Sequence, residues 1–140
     1  MRKMLFTAVA AAALFATGAA RAEVLKLTAN LSASQEVPPK TASGSGTMTG
    51  TLDTTTKTLT YNITYSGLSG PATMAHIHGP AAAGANAPVL FPFPSPASPI
   101  SGTATVNDAT VQAIMAGNAY VNVHTGANPG GELRGQITKQ

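Results

Sequence analysis

Residues Thr58 to Tyr65 hold the strictest pattern in the chain. Leu59, Tyr61, Ile63 and Tyr65 take every second position, and Thr58, Thr60, Asn62 and Thr64 fill the places between. Successive side chains of a strand point to opposite faces, so this segment reads as a β-strand with one apolar and one polar side. The same alternation recurs from Val24 to Leu31, where Leu25, Leu27, Ala29 and Leu31 share a face, and again from Ile100 to Val106. Gly46 to Leu52 reads as a further strand with small residues, joined to Thr58 by a polar turn over Asp53 to Lys57. Thr73 to His78, Ala119 to Thr125 and Glu132 to Thr138 complete the strands, the last two separated by a turn from Gly126 to Gly131. Pro38-Pro39 is expected to end the first strand.

Two segments depart from the pattern. Residues 79–99 carry six of the ten prolines (Pro80, Pro88, Pro92, Pro94, Pro96 and Pro99), and a proline cannot donate to a sheet ladder. A long, partly polyproline-like loop is expected there. Asn107 or Asp108 can cap a short helix running through Met115, with Gly117 as its stop. Seven or eight short strands with one small helix predict an all-β, antiparallel Greek-key sandwich or barrel.

The N-terminus reads differently. Arg2 and Lys3 precede an apolar run from Met4 to Ala16 that is too short to span a bilayer, and Ala20-Arg21-Ala22 fits a small-x-small cleavage site. Residues 1–22 are thus expected to be a signal peptide and 23–140 a single domain in the periplasm or secreted. The formal charge of +3 belongs to that leader: without Arg2, Lys3 and Arg21, five basic residues face five acidic ones. A near-neutral domain argues against nucleic acid or a polybasic membrane patch as partner, and no other apolar run is long enough for a transmembrane helix. Only 22 of the 118 remaining residues are Leu, Ile, Val or Phe, and there is no Cys. Sheet packing, a bound ion or both must therefore supply what disulfides give many small exported domains.

All three histidines fall in predicted strands. His76 and His78 are two apart, so their imidazoles leave one face with Cα atoms about 7 Å apart. His124 shares a face with Tyr120 and Asn122, opposite Val121 and Val123. If the two strands are neighbours, three imidazoles meet and leave an open coordination position, the ligand set of a catalytic zinc or a type of copper site. The divalent affinity order favours copper, with zinc the alternative. Each ligand would need its second ring nitrogen held by a carbonyl or carboxylate. The competing reading keeps the histidines structural, hydrogen-bonding the mouth of the sandwich.

Several stretches together resemble the CHRD (chordin) domain family: Ser34-Gln35-Glu36-Val37-Pro38-Pro39, Gly67-Leu68-Ser69-Gly70, Ala75-His76-Ile77-His78-Gly79-Pro80-Ala81, Tyr120-Val121-Asn122-Val123-His124-Thr125, and Asn128-Pro129-Gly130-Gly131-Glu132-Leu133-Arg134-Gly135-Gln136-Ile137. The resemblance implies an exported β-rich domain and leaves its activity open. A weaker similarity is to Cu,Zn superoxide dismutases. There a Gly-Leu segment precedes a His-x-His strand, a later strand carries a Val-x-His copper ligand, and a Gly-Gly ending carries an arginine near the copper. Gly67-Leu68, His76, His78, His124 and Gly130-Gly131-Glu132-Leu133-Arg134 look comparable. This chain has no further histidine for a bridging ligand or a zinc site, and no disulfide. The similarity therefore implies copper at three histidines more than it implies dismutation.

Arg134 is the only arginine of the 23–140 segment. It is a candidate for steering anions to a metal, or else a structural partner of Glu36 or Glu132. Glu36 and Glu132 could be a general acid and base, but no nucleophile accompanies them. Tyr120 could line the metal site or pack in the core. Gly130 and Gly131 are expected to supply turn dihedrals. Met48, Met74 and Met115 are expected in the core. Phe91 and Phe93 either cover the sandwich or offer a sticky patch to a partner. Three functions follow: metal binding through His76, His78 and His124; a module holding another exported protein by its proline-rich loop or an edge strand; and a copper-dependent, superoxide dismutase-like oxidoreductase.

Overall fold

The structure, a computed structural model, describes Gly18 and residues 22–140. The expected signal peptide lies outside the described residues but for Gly18 and Ala22. Among the described residues nine strands, all paired antiparallel, make one curled sheet: β1 (Val24–Ser32), β2 (Ser45–Asp53), β3 (Thr58–Ser66), β4 (Ala72–His78), β5 (Val89–Pro92), β6 (Ile100–Thr105), β7 (Tyr120–Thr125), β8 (Leu133–Gln136) and β9 (Thr138–Lys139). Their order is β5-β4-β7-β8-β1-β2-β3-β6, with β9 also on β1. The chain thus runs β1-β2-β3 as a meander, crosses to build β4 and β5, returns to β6 beside β3, and crosses again to β7. This is the expected antiparallel Greek-key architecture.

Alternation decides which face is buried. Leu27, Leu31, Met48, Leu52, Leu59 and Ile63 from one half meet Ala75, Ile77, Val121, Val123 and Leu133 from the other, all buried. Phe93 is buried and Phe91 partly so, their rings edge-on to Tyr61 at 4.8 and 6.0 Å between centroids. Both rings thus cover the core as the loop passes over it. The helix α1 (Asp108–Met115) starts at Asn107, whose Oδ1 accepts from Thr110 N and Thr110 Oγ1, and Gly117 takes a left-handed φ of 74° just beyond its end.

Four expectations need correction. Residues 79–99 contain β5, which pairs with β4; Pro92 is tolerated because β5 is an edge strand, where a missing donor faces no neighbour. The first strand stops at Ser32, before a short 3-10 turn over Ala33–Gln35, not at the prolines. The final strand is two: β8 pairs with β7, and after Ile137 the chain turns to β1 as β9. Of the three methionines expected in the core, Met48 lies there, whereas Met74 and Met115 are exposed.

Candidate metal centre

β4 and β7 are hydrogen-bonded neighbours, so the two histidine segments lie side by side. The register sets His78 opposite Tyr120, His76 opposite Asn122 and Met74 opposite His124. Ala75, Ile77, Val121 and Val123 take the core face, and the polar residues between them share the outer face. That face is covered as well: the loops at 33–44 and 79–88 close over Tyr120 and Asn122, the turn after β7 folds back on His124 and Thr125, and every residue of β7 is buried. Asn86 Nδ2 donates to Val37 O and ties the two loops together.

The three imidazoles converge. His76 Nδ1 and His124 Nε2 are 3.1 Å apart, and one ring nitrogen from each histidine lies within 4.8 Å of the others. Nitrogens bound at about 2.0–2.1 Å to one ion stand roughly 3.3–3.6 Å apart, so the closest pair stands slightly inside that spacing and the widest must close by about 1.2–1.5 Å. Ring orientation is fixed from behind. His78 Nδ1 donates to Ala87 O at 2.9 Å, and His124 Nδ1 donates to Pro129 O at 2.9 Å. Each bond holds the proton on Nδ1 and leaves Nε2 with its lone pair, the tautomer a metal needs. His78 Nε2 is buried without a hydrogen-bond partner. Burial, with His124 and His78 nearby, holds His76 below the ordinary imidazole range. Burial also lowers His78, aided by His124 and Arg134 and opposed by its bond to Ala87. Both rings are thereby kept neutral and ready to ligate.

Tyr120 is buried and lies parallel to His78, with centroids 5.1 Å apart; its hydroxyl accepts from Ala87 N at 3.1 Å. Arg134 is 1% exposed, with its guanidinium carbon 3.6 Å from the Tyr120 centroid. It donates to Ala82 O and Asn86 Oδ1. It is a buried brace that joins the loop to the Tyr120–His78 stack. The expected ion pair with Glu36 or Glu132 is not formed: among the described residues the ion pair within 4 Å is Lys57–Asp108.

The two glutamates work separately. Glu132 accepts from Ser69 N, Thr125 Oγ1 and Asn128 Nδ2; burial pushes its carboxyl up, but these bonds outweigh burial and leave it below the usual range. Glu36 is 6% exposed and accepts from Asn122 Nδ2. Burial raises it from 4.5 to about 7, against the lowering pull of Asn122, Arg134 and Lys40. Glu36 and Arg134 border an open cleft of about 360 Å³ between the two covering loops. Gly131, at φ 128°, lies against Glu36 and Asn122: a Cβ there would stand 2.5 Å from Asn122 Nδ2 and 2.6 Å from Glu36 Oε1. Gly131, and not Gly130, is thus the glycine the turn requires.

The residues that build this face, from Glu36 to Arg134, fall within the stretch 27–137 that matches the family model described as the CHRD domain. The chain belongs to the CHRD domain family. No curated protein and no solved structure matches it. Within this CHRD domain the histidine segments, the Glu36 segment and the Gly131 to Arg134 segment, far apart in sequence, share one covered surface. Sequence reasoning missed Asn122, whose amide joins Glu36 to Leu133 O. Its signal was its place between Tyr120 and His124 on the same face.

Proposed function

We propose that this CHRD domain is an exported metal-binding protein that holds copper, in preference to zinc, through His76, His78 and His124. The observation that carries the reading is the lone pair at His78 Nε2, buried without a partner beside two other imidazoles. An unpaired buried acceptor costs roughly 1–3 kcal/mol, and coordination would satisfy it. Carbonyl-held Nδ1 protons on His78 and His124 are the outer support that ligating histidines require. The divalent affinity order ranks copper above zinc at such nitrogen donors, and copper supplies two accessible oxidation states. Export rests on the leader-like residues 1–22, and no helix among the described residues is long and apolar enough to cross a membrane.

The dismutase-like reading has less support, because the guanidinium proposed to steer anions is buried against Tyr120. The test is titration of the purified protein with Cu(I), Cu(II) and Zn(II). Sub-micromolar, one-to-one copper binding that is lost in His76→Ala and His124→Ala supports the proposal. Binding of none of the three ions overturns it and leaves the histidines structural.

A further inference from the structure

Met74 occupies a place that packing does not explain. It is 48% exposed, while the apolar residues of β4 that build the core are Ala75 and Ile77. Alternation sets Met74 on the same face as His76 and His78, and the register sets it directly opposite His124. Residues facing each other across an antiparallel pair have Cβ atoms about 4.5–5.5 Å apart. Methionine has three rotatable bonds, and so its sulfur can reach over the His124 ring. The register shifts between Ala72 and Met74, and such bulges re-aim the side chains beside them. At the other end of the cluster, His78 faces Val89, also exposed. The imidazoles are therefore bordered by a soft thioether on one side and an aliphatic group on the other.

We infer that Met74 is a fourth, thioether ligand that closes the three-histidine centre and adapts it to Cu(I). The inference rests on the three-histidine reading above and specifies the oxidation state it favours. Thioether sulfur is a soft, neutral donor that selects Cu(I) and adds little for Zn(II). Three neutral imidazoles and one thioether place no negative charge on the ion, which suits a monovalent cation at a partly apolar rim.

The experiment compares the unmodified protein with Met74→Leu and His76→Ala. Anaerobic Cu(I) affinities are measured by competition with a chromogenic Cu(I) chelator, Zn(II) affinities in parallel, and Cu(I)-loaded samples are examined by X-ray absorption. Because Met74 is exposed, the leucine variant keeps the core intact. The expected result is a loss of Cu(I) affinity of about tenfold or more in Met74→Leu, with Zn(II) affinity within about twofold. One sulfur scatterer should be present before the substitution and absent after it. Equal Cu(I) affinities with nitrogen scatterers alone overturn the role of Met74 and leave the histidine centre standing. Absent Cu(I) binding with Cu(II) or Zn(II) still bound overturns the Cu(I) role of Met74 alone, whereas metal binding indifferent to His76→Ala overturns both.

Discussion

Replacing Glu36 by Gln isolates a charge that the fold holds at a disadvantage. The Glu36 carboxyl is buried against Asn122 and Gly131, and its pKa is raised from 4.5 to about 7 by loss of water, only partly offset by Asn122, Arg134 and Lys40. Above pH 4.5 the unfolded chain gives up this proton, whereas the folded protein keeps it until about pH 7. The fold binds more protons throughout that window, so the contribution to stability is complete below 4.5 and is lost as the pH rises through 7. At about 1.4 kcal/mol for each tenfold change, the ceiling is about 3 kcal/mol. Water in the adjoining cleft screens the charge, so about 1–2 kcal/mol is expected. Glutamine copies the protonated carboxyl: its oxygen still accepts from Asn122, and it carries no charge. Urea unfolding with chelator present should find the two proteins alike near pH 4.5 and Glu36→Gln more stable by about 1–2 kcal/mol near pH 8. A stability difference independent of pH, or a variant weaker at the higher pH, would refute burial as the cause of the raised pKa.

The acid side has the opposite slope. Burial keeps His76 and His78 below 6.5, so the unfolded chain binds the extra protons and stability falls as the pH drops beneath 6.5. Measured in metal-free Glu36→Gln, where the glutamate no longer contributes, unfolding free energy should decrease from about pH 7 to pH 5; an increase would contradict neutral, buried imidazoles. Asn107→Ala removes the acceptor of both Thr110 bonds at the start of α1 and should destabilise by about 1–2 kcal/mol in denaturant titration, whereas no change would show that the cap is dispensable. Gly131→Ala meets Asn122 and Glu36 at a positive φ and should cost about 2–4 kcal/mol, seen as a melting temperature lower by more than about 5 °C; an unchanged midpoint would mean that the loop yields freely.

Much of the sheet was legible because alternation is a local signal. Leu59, Tyr61 and Ile63 announce both a strand and its buried side, and Asn107 announces a helix start. β5 was hidden because prolines argue against a ladder unless the strand lies at an edge, and edges are decided by topology, not by composition. The break at Ile137 was hidden for a related reason: the chain changes partners from β7 to β1 without changing its apolar rhythm. His76 and His78 were legible as a pair, and their meeting with His124 needed only that β4 and β7 be neighbours. The atoms that orient them were not legible, since Ala87 O and Pro129 O are main-chain groups that carry no side-chain signature. Glu36 and Asn122 lie 86 positions apart, so only folding brings them together. Met74 shares the alternation of the histidines; expecting it in the core followed residue type where position was the better guide.

The loop over the outer face receives its side-chain partners chiefly through carbonyls: Gln136 binds Ala81 O, Arg134 binds Ala82 O and His78 binds Ala87 O. Every amino acid offers that oxygen. What the imidazole sockets read is therefore the path of the chain, a contour and not a spelling. Apart from Asn86, whose own amide ties the loop, such a cover can drift in composition provided each residue stays small enough to follow the curve, while gaining or losing a single link would shift every downstream oxygen out of step with the side chain that awaits it.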